Sequence, residues 1–203
     1  MEAVRRRIIR IALVLLALVG FSVRAGDGLG NTAIIRGKPD GHIPGWAIVA
    51  RAPKGWTVDC CIYAEAIGVN AVLYRGEWTG KPQRVMVLNV WPRKLPTLAA
   101  EVQADRKHYR QADPAAKVTA IVVHDPAMRC AATAYRGTDH VDDAVVFCDP
   151  GRSSGIRLSW SVSFDDGDPM QPALLDDFKR VVAASRYMRE VASPTATPPA
   201  RGK

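Results

Sequence analysis

The residues of this sequence best suited to chemistry are its four cysteines. Cys130 and Cys148 lie near the outer ends of two probable strands that meet at residues 137–140. Pairing these strands as an antiparallel hairpin places the two cysteines opposite each other, with Cα atoms about 4.5 to 5.5 Å apart, a spacing that a disulfide tolerates. The same register sets Arg136 opposite Asp142, a favourable cross-strand pair. We therefore favour a disulfide between Cys130 and Cys148, which would stabilise the fold by about 3 kcal/mol.

The other two cysteines, Cys60 and Cys61, are adjacent in the chain, and their pairing stays open. If the hairpin cysteines bond to each other, Cys60 and Cys61 have only each other, and a vicinal disulfide strains the intervening peptide. Alternatively, each bonds to one hairpin cysteine. Because neighbouring strand residues point to opposite faces, that arrangement needs a bulge or a loop at this position. The pair lacks the C-x-x-C spacing of thiol oxidoreductases.

The densest group of titratable side chains lies at the expected hairpin tip, where Asp139, His140, Asp142 and Asp143 follow one another closely. These side chains could hold a divalent metal, so a metal-dependent or hydrolytic enzyme using the Asp139 to Asp143 tip is the alternative function. A hairpin tip is also an ordinary place for solvated aspartate and histidine. We therefore expect no metal site here.

Residues 151–155 match the G-x-S-x-G pattern of serine hydrolases, with Ser153 in the place of the nucleophile. That pattern works where a strand leads into a sharp turn and a helix leads out, with the catalytic histidine later in the chain. Here an alternating strand leads out, and the last histidine is His140. We expect no catalytic residue, no cofactor and no enzymatic activity.

The first 25 residues have the pattern of a secretory signal peptide: arginines at 5–7, an apolar run over 11–21, and a cleavage point after Ala25. The apolar run is far shorter than the roughly 20 residues that a membrane-spanning helix needs. We expect a periplasmic or secreted protein with no stable membrane span after cleavage. Export by the general secretory route or by the twin-arginine route fits this signal, and an oxidising compartment agrees with the cysteines.

The net charge argues against nucleic acid as a partner. The formal charge of +8 falls to +4 once the five arginines and one glutamate of residues 1–25 are removed. Two of the remaining positive charges, Arg201 and Lys203, lie in the C-terminal tail. A nucleic-acid-binding domain would show a clustered basic face, which is not evident in this sequence.

Composition and periodicity divide the rest of the chain into three parts. Residues 26–45 are rich in glycine and proline and are expected to form an extended arm, residues 46–190 a single domain, and residues 191–203 a disordered tail. Strands are predicted over 46–52, 57–63, 71–75, 84–91, 117–124 and 155–164 as well as in the hairpin. Helices are predicted from the N-cap Thr97 to before Pro114, and from about Pro172 to Arg189.

Several packing features, spread over most of the chain, carry a family resemblance: the turn Pro53-Lys54-Gly55-Trp56 after a strand, the strand over 69–75, the helix between the strands 84–91 and 117–124, and the closing helix with Phe178, Val181, Val182 and Ser185 on one face. Over residues 46–187 the chain resembles the PsbP-like fold family of small exported proteins. The resemblance implies an α+β fold in which a mainly antiparallel sheet is flanked by two helices. It also implies a role in binding other proteins, usually without catalysis. The cysteines depart from the family pattern.

These observations lead to one functional hypothesis. We expect an exported, non-enzymatic binding or interaction module of the cell envelope or periplasm, with a protein or envelope component as its partner. The contact would use an exposed sheet face or a loop. A purely structural subunit of an envelope assembly is a further possibility that the sequence leaves open.

Overall fold

The computed structural model describes residues 28–78 and 84–190. The predicted signal peptide and the predicted C-terminal tail lie outside the described residues. None of the helices in the described ranges is both long enough and apolar enough to cross a membrane.

The described chain is an α+β fold of ten strands and three α-helices. The strands are β1 (Leu29–Gly37), β2 (Trp46–Pro53), β3 (Thr57–Asp59), β4 (Ala71–Arg75), β5 (Arg84–Pro92), β6 (Lys117–Ile121), β7 (Arg129–Arg136), β8 (Val141–Asp149), β9 (Ile156–Asp165) and β10 (Arg186–Arg189). The helices are α1 (Tyr63–Ala66), α2 (Leu98–Ala112) and α3 (Gln171–Ala184), and a single 3₁₀ turn, Arg152–Ser154, precedes β9. This confirms the predicted class, although the third helix and a second sheet go beyond the predicted sheet flanked by two helices.

The strands form two sheets in which neighbouring strands are antiparallel. The large sheet has seven strands in the order β3-β4-β5-β9-β8-β7-β6, and the small sheet has three in the order β1-β2-β10. Strands β5 and β9 therefore lie near the middle of the large sheet, whereas β3 and β6 are its edges.

One face of the large sheet, called the closed face below, is covered by α3 and the small sheet. Helix α3 contacts both β2 and β9 and contributes Phe178, Val181 and Val182, each of which is fully buried. Every second residue of β9 points into this core: Ile156, Leu158, Trp160, Val162 and Phe164. The predicted alternation of this strand is confirmed, since its apolar side chains share one face.

The opposite face of the large sheet, called the open face, carries α1 and α2. Helix α2 begins as predicted at Thr97, whose hydroxyl accepts a hydrogen bond from the backbone N–H of Ala100 at 3.1 Å. It packs over β7 and β8, where Arg106 donates to the Thr133 hydroxyl. The Tyr109 ring stacks on Tyr135 with centroids 4.3 Å apart.

At the other side of the open face, α1 covers β4. Ala64 of α1 packs with Val72 and Tyr74 in a second, smaller apolar cluster. Trp78 joins this cluster and stacks on Tyr63 with ring centroids 4.8 Å apart. Sequence periodicity did not predict α1, because a helix of four residues is too short to show a periodic apolar face.

The structure differs from expectation at the two ends of the domain. The segment expected as an arm is extended, and residues 29–37 pair along β2, with Leu29 and Ile35 buried in the core. The last helix, predicted to reach Arg189, ends at Ala184. Ser185 is extended, and its hydroxyl donates to the Val181 carbonyl. Strand β10 follows because its backbone pairs with β2.

Candidate binding site

The hairpin of β7 and β8 has the register that its sequence predicts. Cys130 lies opposite Cys148, and Arg136 lies opposite Asp142. The sulfur atoms of the two cysteines are 2.01 Å apart, as in a disulfide, and Cys148 is fully buried. Asp125 is close to both sulfur atoms. Because the sulfurs are bonded to each other, this group offers a metal only one carboxylate.

Cys60 and Cys61 lie on an exposed loop and form no bond with the hairpin cysteines. Their sulfur atoms are 2.8 Å apart. The Asp59 carboxylate fixes the loop by accepting hydrogen bonds from the four backbone N–H groups of residues 61–64, at 2.7 to 3.3 Å. Burial acts to raise the pKa of Asp59, but these hydrogen bonds outweigh it and lower that pKa. The hydrogen bond with Cys61 and burial raise the pKa of Cys60, which favours its neutral thiol.

The acidic hairpin tip does not converge on one point. Asp142 points to the closed face, where Gln171 donates to it at 3.1 Å. Asp143 points to the open face, because successive strand residues alternate, and accepts a hydrogen bond from Ser163 at 2.5 Å. Burial raises the pKa of Asp143. The side chain of His140 is 86% exposed, with Nδ1 3.7 Å from an oxygen of Asp166.

The serine of the G-x-S-x-G segment does not stand at a strand-to-helix turn. Ser153 sits in the 3₁₀ turn between β8 and β9, and β9 leads out of it as a strand. Ser154, its neighbour, is buried and donates from its hydroxyl to the Gly151 carbonyl at 2.7 Å. The five residues thus form the loop between two strands that the sequence predicts.

A trough on the open face is the feature with the geometry of a binding site. It lies over β5 and β9, between α2 on one side and the end of α1 on the other, and has a volume of about 570 Å³. The residues that line it are Gly68, Asn70, Asn89, Val90, Trp91, Asp105, Val145, Phe147, Ser159 and Ser161. We call this surface the trough.

The trough exists because neither helix reaches the middle of the sheet. Helix α2 packs mainly on β7 and β8, and α1 packs mainly on β4, so the trough over β5 and β9 lies between them. Ser159 and Ser161 of β9 point to the open face since their neighbours Leu158, Trp160 and Val162 fill the core. Along the polar side of β9, Ser159 is therefore buried beside the trough, whereas Ser161 remains partly exposed.

The walls of the trough are held by hydrogen bonds and ring contacts. The side-chain oxygen of Asn70 accepts from the Val90 N–H at 2.6 Å. Asp105, on the helix side, accepts a hydrogen bond from the Tyr135 hydroxyl. The rings of Trp91 and Phe147 meet edge to face, with centroids 6.1 Å apart. Apart from Gly68 and Asn70 in the loop between α1 and β4, the residues of the trough lie on strands and a helix, which favours a fixed shape.

Beside the trough, the open face buries one cluster of charges. The Asp149 carboxylate accepts hydrogen bonds from Arg93 and Arg129 and lies 2.9 Å from Arg157. Arg157 is only 1% exposed. Burial acts to raise the pKa of Asp149, but the Arg93 hydrogen bonds, the Gly151 N–H and the nearby guanidinium charges outweigh it and lower that pKa. This cluster joins the ends of β5, β7, β8 and β9.

Near the hairpin tip the open face carries Tyr109. Its burial, together with the neighbouring carboxylates of Asp143, Asp139 and Asp113, raises the pKa of Tyr109 to about 12. The phenol is therefore neutral at ordinary pH. Tyr135, on which it stacks, also has a raised pKa, first through burial and then through its hydrogen bond to Asp105.

Sequence reasoning did not identify the trough residues. The one signal available was the polar side of the strand over 155–164, on which Ser159 and Ser161 alternate with apolar residues. Such a strand is equally compatible with a solvated outer face. Its place near the middle of the sheet, and the distance between α1 and α2, depend on tertiary packing.

Comparison with known proteins gives a structural similarity. No protein-family model matches the chain, and no curated protein matches its sequence. The fold is similar to the solution structure of cyanobacterial PsbP (CyanoP) from Synechocystis sp. PCC 6803, with a TM-score of 0.45 and 16% sequence identity. The matched region covers 78% of this chain and 95% of that one. The resemblance to PsbP that the sequence predicts is thus found, as a weak one.

Proposed function

We propose that this protein is an exported, non-enzymatic binding module of the cell envelope or periplasm, and that it holds a protein or envelope component in the trough. The observation that carries the proposal is the trough over β5 and β9, which lies between α1 and α2 near the middle of the large sheet. A concave surface on rigid elements, with a few polar groups among apolar ones, is the usual form of a binding site.

The chemistry of the trough suits recognition more than catalysis. Ser159, Ser161 and Asn89 provide neutral donors and acceptors, and Trp91 provides a ring edge or face for packing. Among the described residues that line the trough, Asp105 is the one acid and no histidine or cysteine occurs. Since Asp105 already accepts the Tyr135 hydroxyl, no pair of nucleophile and base is formed there.

Export is the second part of the proposal. It is supported by the signal-like residues 1–25 and by the cysteine pair at disulfide distance in the hairpin, because disulfides persist outside the cytoplasm. In that compartment the partner would be another exported protein or a component of the envelope. The lining of the trough, in which Asp105 is the one acid among the described residues, favours a partner surface that is polar and weakly charged.

Site-specific photo-crosslinking in intact cells tests the proposal. A photoreactive phenylalanine analogue replaces Ser161 in the trough of the full-length chain, and the matched control carries it at Ile34 on β1, which is 45% exposed. We expect a discrete adduct from position 161 that position 34 does not give. Replacing Asn89 by alanine should lower the yield of that adduct, since it removes a polar group of the trough.

Two outcomes would contradict the proposal. One is the same set of adducts from positions 161 and 34, which would mean random encounters rather than a bound partner. The other is a chain that stays in the cytoplasm with residues 1–25 uncleaved, which mass spectrometry of the purified protein would reveal.

A further inference from the structure

Among the described strands, β6 differs from the other sheet edges, because after Lys117 it is followed by a run of uncharged residues. The opposite edge of the large sheet, β3, has only three residues, and short edge strands are one natural protection against pairing with other chains. In the small sheet, the edge strands β1 and β10 carry arginines. By contrast, residues 118–123 are Val, Thr, Ala, Ile, Val and Val, with no charge, proline or glycine.

Strand pairing ends at Ile121, but the alternation of side-chain exposure continues beyond β6. From Ile121 to His124 the side chains alternate between partly buried and exposed, as in a strand. Val122 is 88% exposed, the highest value among the large apolar side chains of the described residues, whereas Val123 packs against the core. Asp125 precedes a proline, which favours an extended conformation there. Residues 118–123 thus form an apolar segment that continues the exposure pattern of β6, with polar residues on either side.

The charges at the two ends of this segment are complementary to each other. Residue 117 is a lysine and residue 125 is an aspartate. If two copies of the segment pair antiparallel about Ile121, Lys117 of each copy lies opposite Asp125 of the other, and Ala120 lies opposite Val122. Opposed charges of this kind stabilise a pair of strands, and like charges destabilise it. The segment is therefore complementary to itself.

We propose that a second copy of this chain occupies the β6 edge, so that the two large sheets join through antiparallel pairing of residues 117–125 with Ile121 at the two-fold axis. Such an interface is isologous, as expected of a symmetric dimer. It covers Val122 and pairs the open backbone groups of the edge. A cavity of about 510 Å³, partly lined by Lys117, Thr119 and Ile121, lies beside this edge, and Val123 and Asp125 of the second copy would border it. The pairing does not depend on the trough.

Sedimentation velocity of the mature protein, over about a hundredfold range of concentration, measures the self-association directly. We expect a monomer–dimer equilibrium. Val122→Lys should weaken it by about tenfold or more, since it sets a charge on the edge of each copy. The matched control is Ile62→Lys, because Ile62 is also an exposed large apolar residue, at 72%, but lies near α1. That variant should associate like the unmodified protein.

Cysteine crosslinking tests the register. In a Cys60→Ser/Cys61→Ser background, Ile121→Cys places two thiols directly opposite each other, within disulfide range. Thr119→Cys places its thiols about 13 Å apart along the strands, too far to bond. We expect a disulfide-linked dimer from Ile121→Cys and none from Thr119→Cys.

The proposal is overturned by any of three results. The protein stays monomeric over the whole concentration range, or Val122→Lys associates as strongly as Ile62→Lys, or Thr119→Cys crosslinks in place of Ile121→Cys. Because Val122 is almost fully exposed, its lysine variant should fold normally, and its sedimentation is informative even if the Ile121 variant is unstable.

Discussion

The two faces of the large sheet differ in what covers them and in the side chains that β9 places there. On the closed face, α3 and the small sheet cover the strands, and the side chains of β9 that point there are apolar and buried. On the open face, α1 and α2 stand apart, and the neighbouring side chains of the same strand are serines that border the trough. Adjacent residues of one strand thus differ in role: the closed-face side chains of β9 fill the core, and recognition is proposed for the serines on its open face.

Some substitutions on the open face should destabilise the protein. Among the changes considered, Asp149→Asn is expected to lower the free energy of unfolding most. This change removes the carboxylate that forms an ion pair with the buried Arg157 and also pairs with Arg93 and Arg129. Leaving a buried charge without its partner costs about 3 to 5 kcal/mol of unfolding free energy. Urea denaturation of both proteins at neutral pH measures the difference. A loss below about 1 kcal/mol would show that the cluster is a weak surface interaction.

The pH dependence of stability in the unmodified protein and in Asp149→Asn tests the same cluster. Because the folded-state pKa of Asp149 is lowered from 3.8, its stabilising contribution is complete above the unfolded pKa and is lost as the pH falls through the folded pKa. We expect the difference in stability between the unmodified protein and Asp149→Asn to shrink below about pH 4. A difference that stays constant at lower pH would contradict the assigned hydrogen bonds.

On the closed face, Leu158→Ala is the next largest change. Leu158 is fully buried in the core beneath the small sheet and α3. Replacing a buried leucine by alanine leaves a cavity and lowers the unfolding free energy by about 2 to 5 kcal/mol. Thermal and urea unfolding report the loss directly.

Ser161→Ala, three residues further along β9, gives the smallest expected effect on stability. Its side chain borders the trough, so the change in unfolding free energy should stay within about 0.5 kcal/mol. Adduct formation from a photoreactive group placed elsewhere in the trough, at Val145, should nevertheless fall. A large loss of stability in this variant would place Ser161 in the core and remove the contrast between the faces.

The hairpin and α2 show what local sequence can predict. The register that pairs Cys130 with Cys148 follows from a turn at residues 137–140 and from alternation on both sides of it. The sequence also predicts Thr97 as an N-cap, and its hydroxyl accepts a hydrogen bond from a backbone N–H only three residues away. Contacts of this kind join residues that are close in the chain, so they can be predicted from the sequence.

The C-terminal segment and β1 show which features local sequence does not predict. Residues 186–189 continue a helical pattern, yet they pair with β2, about 140 residues earlier in the chain. These residues pair with β2 instead of continuing the helix. The pairing uses backbone hydrogen bonds, which produce no periodic pattern of apolar residues in the sequence. For the same reason, β1 was expected as an arm.

The sequence by itself determined the α+β class, the alternation of β9 and the cysteine pair of the hairpin, because each depends on local periodicity or on a short loop. Only the tertiary structure decided that β9 lies near the middle of the sheet, that its serines border a trough between α1 and α2, and that β6 is the last strand of the large sheet among the described residues. These features depend on which elements pack side by side, and the free energy of such packing comes from contacts between residues far apart in the chain.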